Sequence, residues 1–195
     1  VEFTRLSASL SPSELVRVAT DSAGNAFVTG RVAPPSATDA SAFVTKLAAD
    51  GATRLYTAYF DDVPLDIAVD AEGEAIVTGR SGSSAFVSKL AADGASWAYA
   101  ITLGKDAEGR AVDVDADGAA WVAGKSAGDA FVNRIDSDGT VAESVSLGGR
   151  GDDVGNAIRV DGHGGAVVAG STTSSDFPVR RALQPFCPRS ARGHF

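Results

Sequence analysis

Asp115-Ala-Asp-Gly-Ala-Ala-Trp-Val-Ala-Gly124 decides the reading of this chain, because it is one of four copies of a single pattern. The others are Asp21-Ser-Ala-Gly-Asn-Ala-Phe-Val-Thr-Gly30, Asp70-Ala-Glu-Gly-Glu-Ala-Ile-Val-Thr-Gly79 and Asp161-Gly-His-Gly-Gly-Ala-Val-Val-Ala-Gly170. Their closing glycines lie 49, 45 and 46 residues apart. A second unit alternates with the first: Ala42-Phe-Val-Thr-Lys-Leu47, Ala85-Phe-Val-Ser-Lys-Leu90 and Ala130-Phe-Val-Asn-Arg-Ile135. Each is followed by an Asp-Gly pair, at Asp50-Gly51, Asp93-Gly94 and Asp138-Gly139. Asp-Gly between apolar stretches signals a hairpin, since Gly accepts positive φ and Asp bonds its own backbone.

Each period therefore holds four short strands. Strand one carries Val18/Thr20, Ile67/Val69, Val112/Val114 and Ile158/Val160, and an Asp-x-x-Gly turn leads into strand two. Strand three is the Ala-Phe-Val unit. Strand four is Leu55–Phe60, Trp97–Leu103 or Val141–Leu147. Four antiparallel strands in about 45 residues match one blade of a β-propeller, which must stack on neighbours to cover both faces. A helical repeat needs long stretches of 3.6-residue periodicity, and none is present. The expected fold is all-β, a β-propeller of four-stranded antiparallel blades, with a β-sandwich as the competing array.

Composition agrees with this and narrows the function classes. The chain has 195 residues, 44% hydrophobic and 22% charged, with 22 Gly and no Met. All 25 acidic residues lie at or before Asp176, while Arg180, Arg181, Arg189 and Arg192 follow it, leaving 13 basic residues ahead of that tail. So acidic a body repels phosphate backbones and anionic lipid surfaces, which argues against nucleic-acid and membrane-surface partners. No apolar stretch is long enough for a membrane span. The single Cys187 leaves no internal disulfide to form. The chain starts at Val1 without a signal-peptide pattern, and the expectation is that processing or truncation removed the true start.

These motifs resemble the bacterial β-propeller repeat family called SBBP. Its units read Gly-x-Ala-Val-Asp-x-x-Gly-Asn-x-Tyr-Val-Thr-Gly, then Asp-Phe-Pro, Asp-Ala-Phe-Val-x-Lys-Leu and Tyr-Leu-Gly-Gly. The fullest match is Gly148-Gly-Arg-Gly-Asp-Asp-Val-Gly-Asn-Ala-Ile-Arg-Val-Asp161, continuing through Gly170-Ser-Thr-Thr-Ser-Ser-Asp-Phe-Pro178. The resemblance implies an extracellular or cell-envelope protein. Beyond Pro178 and Leu183-Gln-Pro185 the pattern would proceed to another Ala-Phe-Val strand, which is absent before Phe195. The expected organisation is a partial blade at 1–15, blades at 16–62, 63–107 and 108–153, a partial blade at 154–178, and a basic tail or truncated strand at 179–195. Residues Val1–Leu10 align as a fourth strand, or Phe3-Thr-Arg-Leu6 aligns with the third. An open arc of about three full blades is expected, with a closed four-blade ring as the alternative.

Up-down strands send the one-two and three-four connections to one rim and the two-three and four-one connections to the other. The first rim is uniform. On the second, Gly30 to Phe43 spans 13 residues, whereas Gly79 to Phe86 and Gly124 to Phe131 span 7. Variable loops on a repeated scaffold are where binding resides. This rim also gathers Asp61, Asp62, Asp106, Glu108, Asp152 and Asp153, which offer oxygen ligands for Ca²⁺ or a cationic partner, or simply solvate the turns. Asp113-Val-Asp115-Ala-Asp117-Gly118 copies half of a calcium loop, but position twelve is Gly124 rather than Glu, so the hairpin reading is preferred. Strand one carries unshared charges, Arg17, Asp66, Asp113 and Arg159, placed to line a central channel or to form interblade ion pairs.

The ligand-binding candidates are Arg17, Asp66, Asp106, Asp152 and Arg159. No catalytic or metal-ligating residues are assigned: His163 and His194 lack ligand spacing, and Gly148-Gly-Arg-Gly151 is followed by no Lys-Ser/Thr. The expected function is a noncatalytic scaffold or binding module without cofactor, joined to further blades of a longer chain and to a protein or carbohydrate ligand. The alternatives are part of a propeller enzyme, a lyase or hydrolase, and a calcium-dependent adhesion module.

Overall fold

The turn aspartate organises each repeat. Asp115 Oδ1 accepts the backbone N–H groups of Asp117 and Ala119, at 3.0 and 2.9 Å, which closes the loop between strands one and two. Asp21, Asp70 and Asp161 do the same for their own turns. In the computed structural model, which describes residues 13–32, 42–179 and 193–194, these turns join strands into four antiparallel sheets.

The first sheet holds β1 (Ser13–Thr20), β2 (Ala26–Val32), β3 (Ala42–Leu47) and β4 (Arg54–Phe60). The second holds β5 (Val63–Val69), β6 (Ala75–Ser81), β7 (Ser84–Leu90) and β8 (Trp97–Leu103). The third holds β9 (Ala107–Val114), β10 (Ala120–Ser126), β11 (Asp129–Ile135) and β12 (Val141–Leu147). The fourth holds β13 (Asp153–Val160), β14 (Ala166–Thr172) and the two-residue β15 (Gly193–His194). Within each sheet, neighbours in sequence are neighbours in space. The chain is thus all-β, made of four-stranded propeller blades, and its described residues form an incomplete arc. The readings that concern Val1–Leu10, the long loop after strand two of the first blade, Leu183–Pro185 and Cys187 fall outside the described residues.

Two repeated devices account for the motif residues. The first is the cation of strand three. Lys46 lies 3.6 Å from Asp21 Oδ2, Lys89 lies 2.8 Å from both Asp70 Oδ2 and Glu74 Oε2, and Arg134 Nε lies 3.5 Å from Asp115 Oδ2. The Asp of one motif therefore meets the Lys or Arg of the other across the sheet. Lys46 also covers the Phe27 ring at 4.6 Å, and Arg134 covers Trp121 at 5.9 Å. The second device is a glycine under an aromatic ring. Gly124 pairs with Phe131 across β10 and β11, and a Cβ at Gly124 would lie 2.9 Å from the Phe131 ring and closer still to the Glu108 carbonyl. Any side chain there would drive the two strands apart.

Successive sheets pack face to face. Between the first and second lie Phe27, Val44 and Tyr56 against Ile67, Val77, Phe86 and Leu90. Between the second and third lie Ile76, Val87, Tyr99 and Leu103 against Val112, Val122, Phe131 and Ile135. Between the third and fourth the cluster is smaller, with Trp121 and Ala123 against Ile158. The innermost strands β1, β5, β9 and β13 lie side by side in that order. This stacking brings strand-one side chains from all four blades to one concave space.

Candidate functional site

That space is a cavity of about 610 Å³ lined by the inner strands, and Arg17, Asp66, Arg110, Asp113, Asn156 and Arg159 supply its polar groups. Strand one places alternate side chains toward the following blade. Asp66 Oδ2 accepts the Val112 N–H at 3.0 Å, and Asp113 Oδ2 accepts the Val160 N–H at 2.9 Å. These bonds recur with nearly one repeat of separation, so each carboxylate tethers the next blade's inner strand. Both are half-buried, with side chains 20% and 21% exposed. Burial pushes the Asp66 carboxyl above its ordinary range, against the backbone amides of Val112 and Ile67 and the nearby Arg17 and Arg159.

The arginines stand further out. Arg17 Nε lies 3.7 Å from Asp66 Oδ1, and Arg159 Nη1 lies 4.0 Å from Asp113 Oδ1, with side chains 58% and 79% exposed. Arg159 Nη1 also donates to the Ile158 carbonyl. Arg110 donates from Nη1 to Asn156 Oδ1 at 3.2 Å and lies 3.1 Å from Glu108 Oε1 through Nε. The unshared strand-one charges therefore both line a cavity and pair between blades.

Three of the five candidate residues, Arg17, Asp66 and Arg159, meet at this cavity. Asp106 and Asp152 do not. Asp106 borders a separate hollow on the loop rim with Arg80, Ser83, Glu108 and Lys125. It holds a left-handed φ of 48°, which few residues other than Gly adopt, and its carbonyl accepts the Ala127 N–H. Asp152 Oδ1 lies 2.7 Å from Lys125 Nζ across the boundary between the third and fourth blades.

The loop rim turns out to be stitched. Ala107 N–H donates to Ser83 O, Ala127 to Asp106 O, Asp153 to Gly128 O, and Thr173 to Asp152 O. The four-one loops before the third and fourth blades are thereby each gripped by the two-three loops of the blades on either side. The fourth blade adds side chains: Asp153 Oδ2 accepts from Gly149 N–H and Ser174 Oγ, Asp176 Oδ1 from Arg150 N–H, and Ser174 Oγ from Gly151 N–H. Asp153 is fully buried. Burial pushes its carboxyl up, but the Ser174 and Thr172 hydroxyls and the Gly149 amide outweigh this and hold it below the ordinary range.

Asp113 and Asp115 serve different partners, the Val160 amide and the turn with Trp121 Nε1 respectively, so the half-calcium-loop segment is a strand end running into a hairpin. Among the described residues, no group of three or more His, Cys, Asp or Glu is placed to hold a metal ion. Sequence reasoning missed Arg110 and Asn156 as cavity residues. Their signal was positional: both stand five residues before the turn aspartate, where the second blade has Leu65.

No family model matches the chain, and no curated protein does. Solved structures resemble it in fold. The hydrazine synthase of Kuenenia stuttgartiensis aligns with a TM-score of 0.61 at 13% identity, covering 82% of this chain and 42% of that one. A luciferin-regenerating enzyme aligns at 0.55 and 11% identity, covering 85% and 56%. Regucalcin, a calcium-binding protein from Agrobacterium tumefaciens, aligns at 0.52 and 15% identity, covering 86% and 56%. The fold is a β-propeller's. The chain spans about half the length of the propeller-like structures it matches.

Proposed function

We propose that this chain is a noncatalytic β-propeller module of the SBBP repeat type, serving as scaffold and binding surface in a bacterial secreted or cell-surface protein. The supporting observation is what its acidic groups do. Asp66 and Asp113 face the cavity but hold the next strand's amide, and Asp153 is buried in loop-to-loop bonds. A general acid or base must be free to meet a substrate proton. Asp106 and Asp152, on the rim, do not converge with Asp66 on one concave spot.

The SBBP assignment draws support from the same bonds. Residues Gly148–Asp161 and Gly170–Pro178, which carry the fullest motif, interlock through Asp153, Ser174 and Asp176. Neighbouring blades are the first partner. Val167 is 67% exposed, whereas Phe27, Ile76 and Trp121 at the same place in earlier blades are at most 6% exposed, under the blade that follows. The second partner is a protein or carbohydrate ligand at the cavity. A test is a glycan and peptide array probed with the wild-type chain and an Arg17→Gln/Arg159→Gln variant. Binding that the variant loses, without turnover of the bound compound, is expected; turnover that Asp66→Asn abolishes would overturn the noncatalytic reading.

A further inference from the structure

We infer that the inner-strand cavity selects a small carboxylate-bearing molecule, which it holds through Arg110, Asn156 and Arg159; this rests on the binding-module reading above. The basis is an inventory of donors and acceptors around the cavity. Its two carboxylates lie back from the surface and are already bonded, since Asp66 and Asp113 accept backbone amides of the following blade; Glu108, outside the lining, pairs with Arg110. Asn156 Oδ1 already accepts from Arg110, which fixes the orientation of the amide, and the NH2 group adds two donors. Arg110 keeps its second terminal nitrogen. Arg159, with a side chain 79% exposed, meets its nearest carboxylate only at 4.0 Å. A ligand reaching the exposed layer therefore encounters N–H donors before it encounters oxygens.

Acceptor-rich ligands satisfy such a surface, and carboxylates do so with charge-assisted, often bidentate bonds to guanidinium. Neutral sugars fit less well. The described lining contains no Trp, Tyr, Phe or His on which a sugar ring could stack. Size follows from two facts. A cavity of about 610 Å³ suits a small molecule. The chain as a whole carries 25 acidic residues against 17 basic ones, and this net negative field repels a long polyanion beyond the reach of the arginines.

The experiment is calorimetric titration of the full chain with citrate, and with glucose as the neutral control, at low salt and pH 7. Citrate binding is expected to weaken about tenfold in Arg159→Gln and in Arg110→Gln. Asp113→Asn should instead tighten it, since Asn still accepts the Val160 amide while the competing charge is gone. Circular dichroism of each variant checks the fold. The inference is overturned if citrate gives no heat at about 10 mM, if Arg159→Gln binds it as well as wild type, or if Asp113→Asn weakens it. Glucose or peptide binding in place of citrate would sink the carboxylate assignment while leaving the binding-module reading standing.

Discussion

The junction between the second and third blades and the junction between the third and fourth are built from the same repeat, yet they bury very different amounts. In the first, Ile76, Tyr99 and Leu103 press on Val112, Phe131 and Ile135, all at most 8% exposed. In the second, Trp121 and Ala123 meet Ile158, but farther out on β12 Val141 and Val145 stay 46% and 45% exposed. Residue type explains only part of this: β12 has Glu143 where β8 has Tyr99, yet Val141 and Val145 stand where Trp97 and Ile101 do. What differs is the opposing sheet: the second blade faces four described strands, the third faces two and a two-residue stub. Burial in a repeat array is a property of the junction.

Core truncation should expose this contrast most strongly. Phe131→Ala at the closed junction is expected to cost about 3–5 kcal/mol, through lost transfer energy and the cavity left behind. Val145→Ala, on the open side, should stay within about 0.5 kcal/mol. Urea unfolding of both variants measures the pair. Equal losses would show that β12 is covered after all.

The strand-three cation gives the next largest difference. Lys89 is 4% exposed and bridges Asp70 and Glu74, and their hydrogen bonds outweigh burial, the largest influence, to raise its pKa. Lys89→Met leaves Asp70, whose side chain is fully buried, without its partner, at about 3 kcal/mol. Arg134 occupies the same place in the third blade, but its side chain is 23% exposed and its partners Asp115 and Asp136 reach water. Arg134→Met should cost about 1 kcal/mol. Thermal melts at one pH and salt would rank them, and the reverse order would break the comparison.

The parts of this molecule that were legible in the sequence are those written in each repeat. Asp-x-x-Gly, Ala-Phe-Val-x-Lys-Leu and Asp-Gly each satisfy a local need, a capped turn, a ring over glycine or a hairpin, and local needs leave periodic traces. Strand four began within a residue or two of Leu55, Trp97 and Val141 for this reason. The cavity was half legible. Arg17, Asp66, Asp113 and Arg159 stood out as charges in apolar strands, but nothing local says that an Asp will hold an amide 46 or 47 residues away. The rim misled most, since Asp153 looks like any acidic loop residue and only the fold shows it buried beneath Ser174.

Asp153 offers a smaller, pH-dependent contrast between the buried and exposed acids of the rim. Its folded pKa lies below the unfolded value, so its stabilisation is complete above that unfolded value and is lost as pH falls through the folded one. Acid titration below about pH 4 should therefore reduce the melting temperature of wild type more steeply than that of Asp153→Asn. At pH 7 the substitution is expected to cost about 1–3 kcal/mol, as the Gly149 amide and the Ser174 hydroxyl lose a charged acceptor. Asp152→Asn, which removes only a pair with the part-exposed Lys125, should cost less than about 1 kcal/mol at pH 7.

The smallest effect belongs to Asp66, and its sign is opposite. Burial, the leading influence, raises this carboxyl, so the folded state binds its proton more tightly than the unfolded chain. Its ionisation therefore weakens the fold as pH rises from the unfolded value through the folded one. Asp66→Asn keeps an oxygen that can accept the Val112 amide and removes the charge whose burial is unfavourable. The net change at pH 7 should lie within about 1 kcal/mol, while at pH 3 the variant should gain nothing over wild type. Melting curves at the two pH values separate these contributions. A large loss at pH 7 would mean that the pair with Arg17, which joins the first blade to the second, outweighs the amide bond, which joins the second to the third.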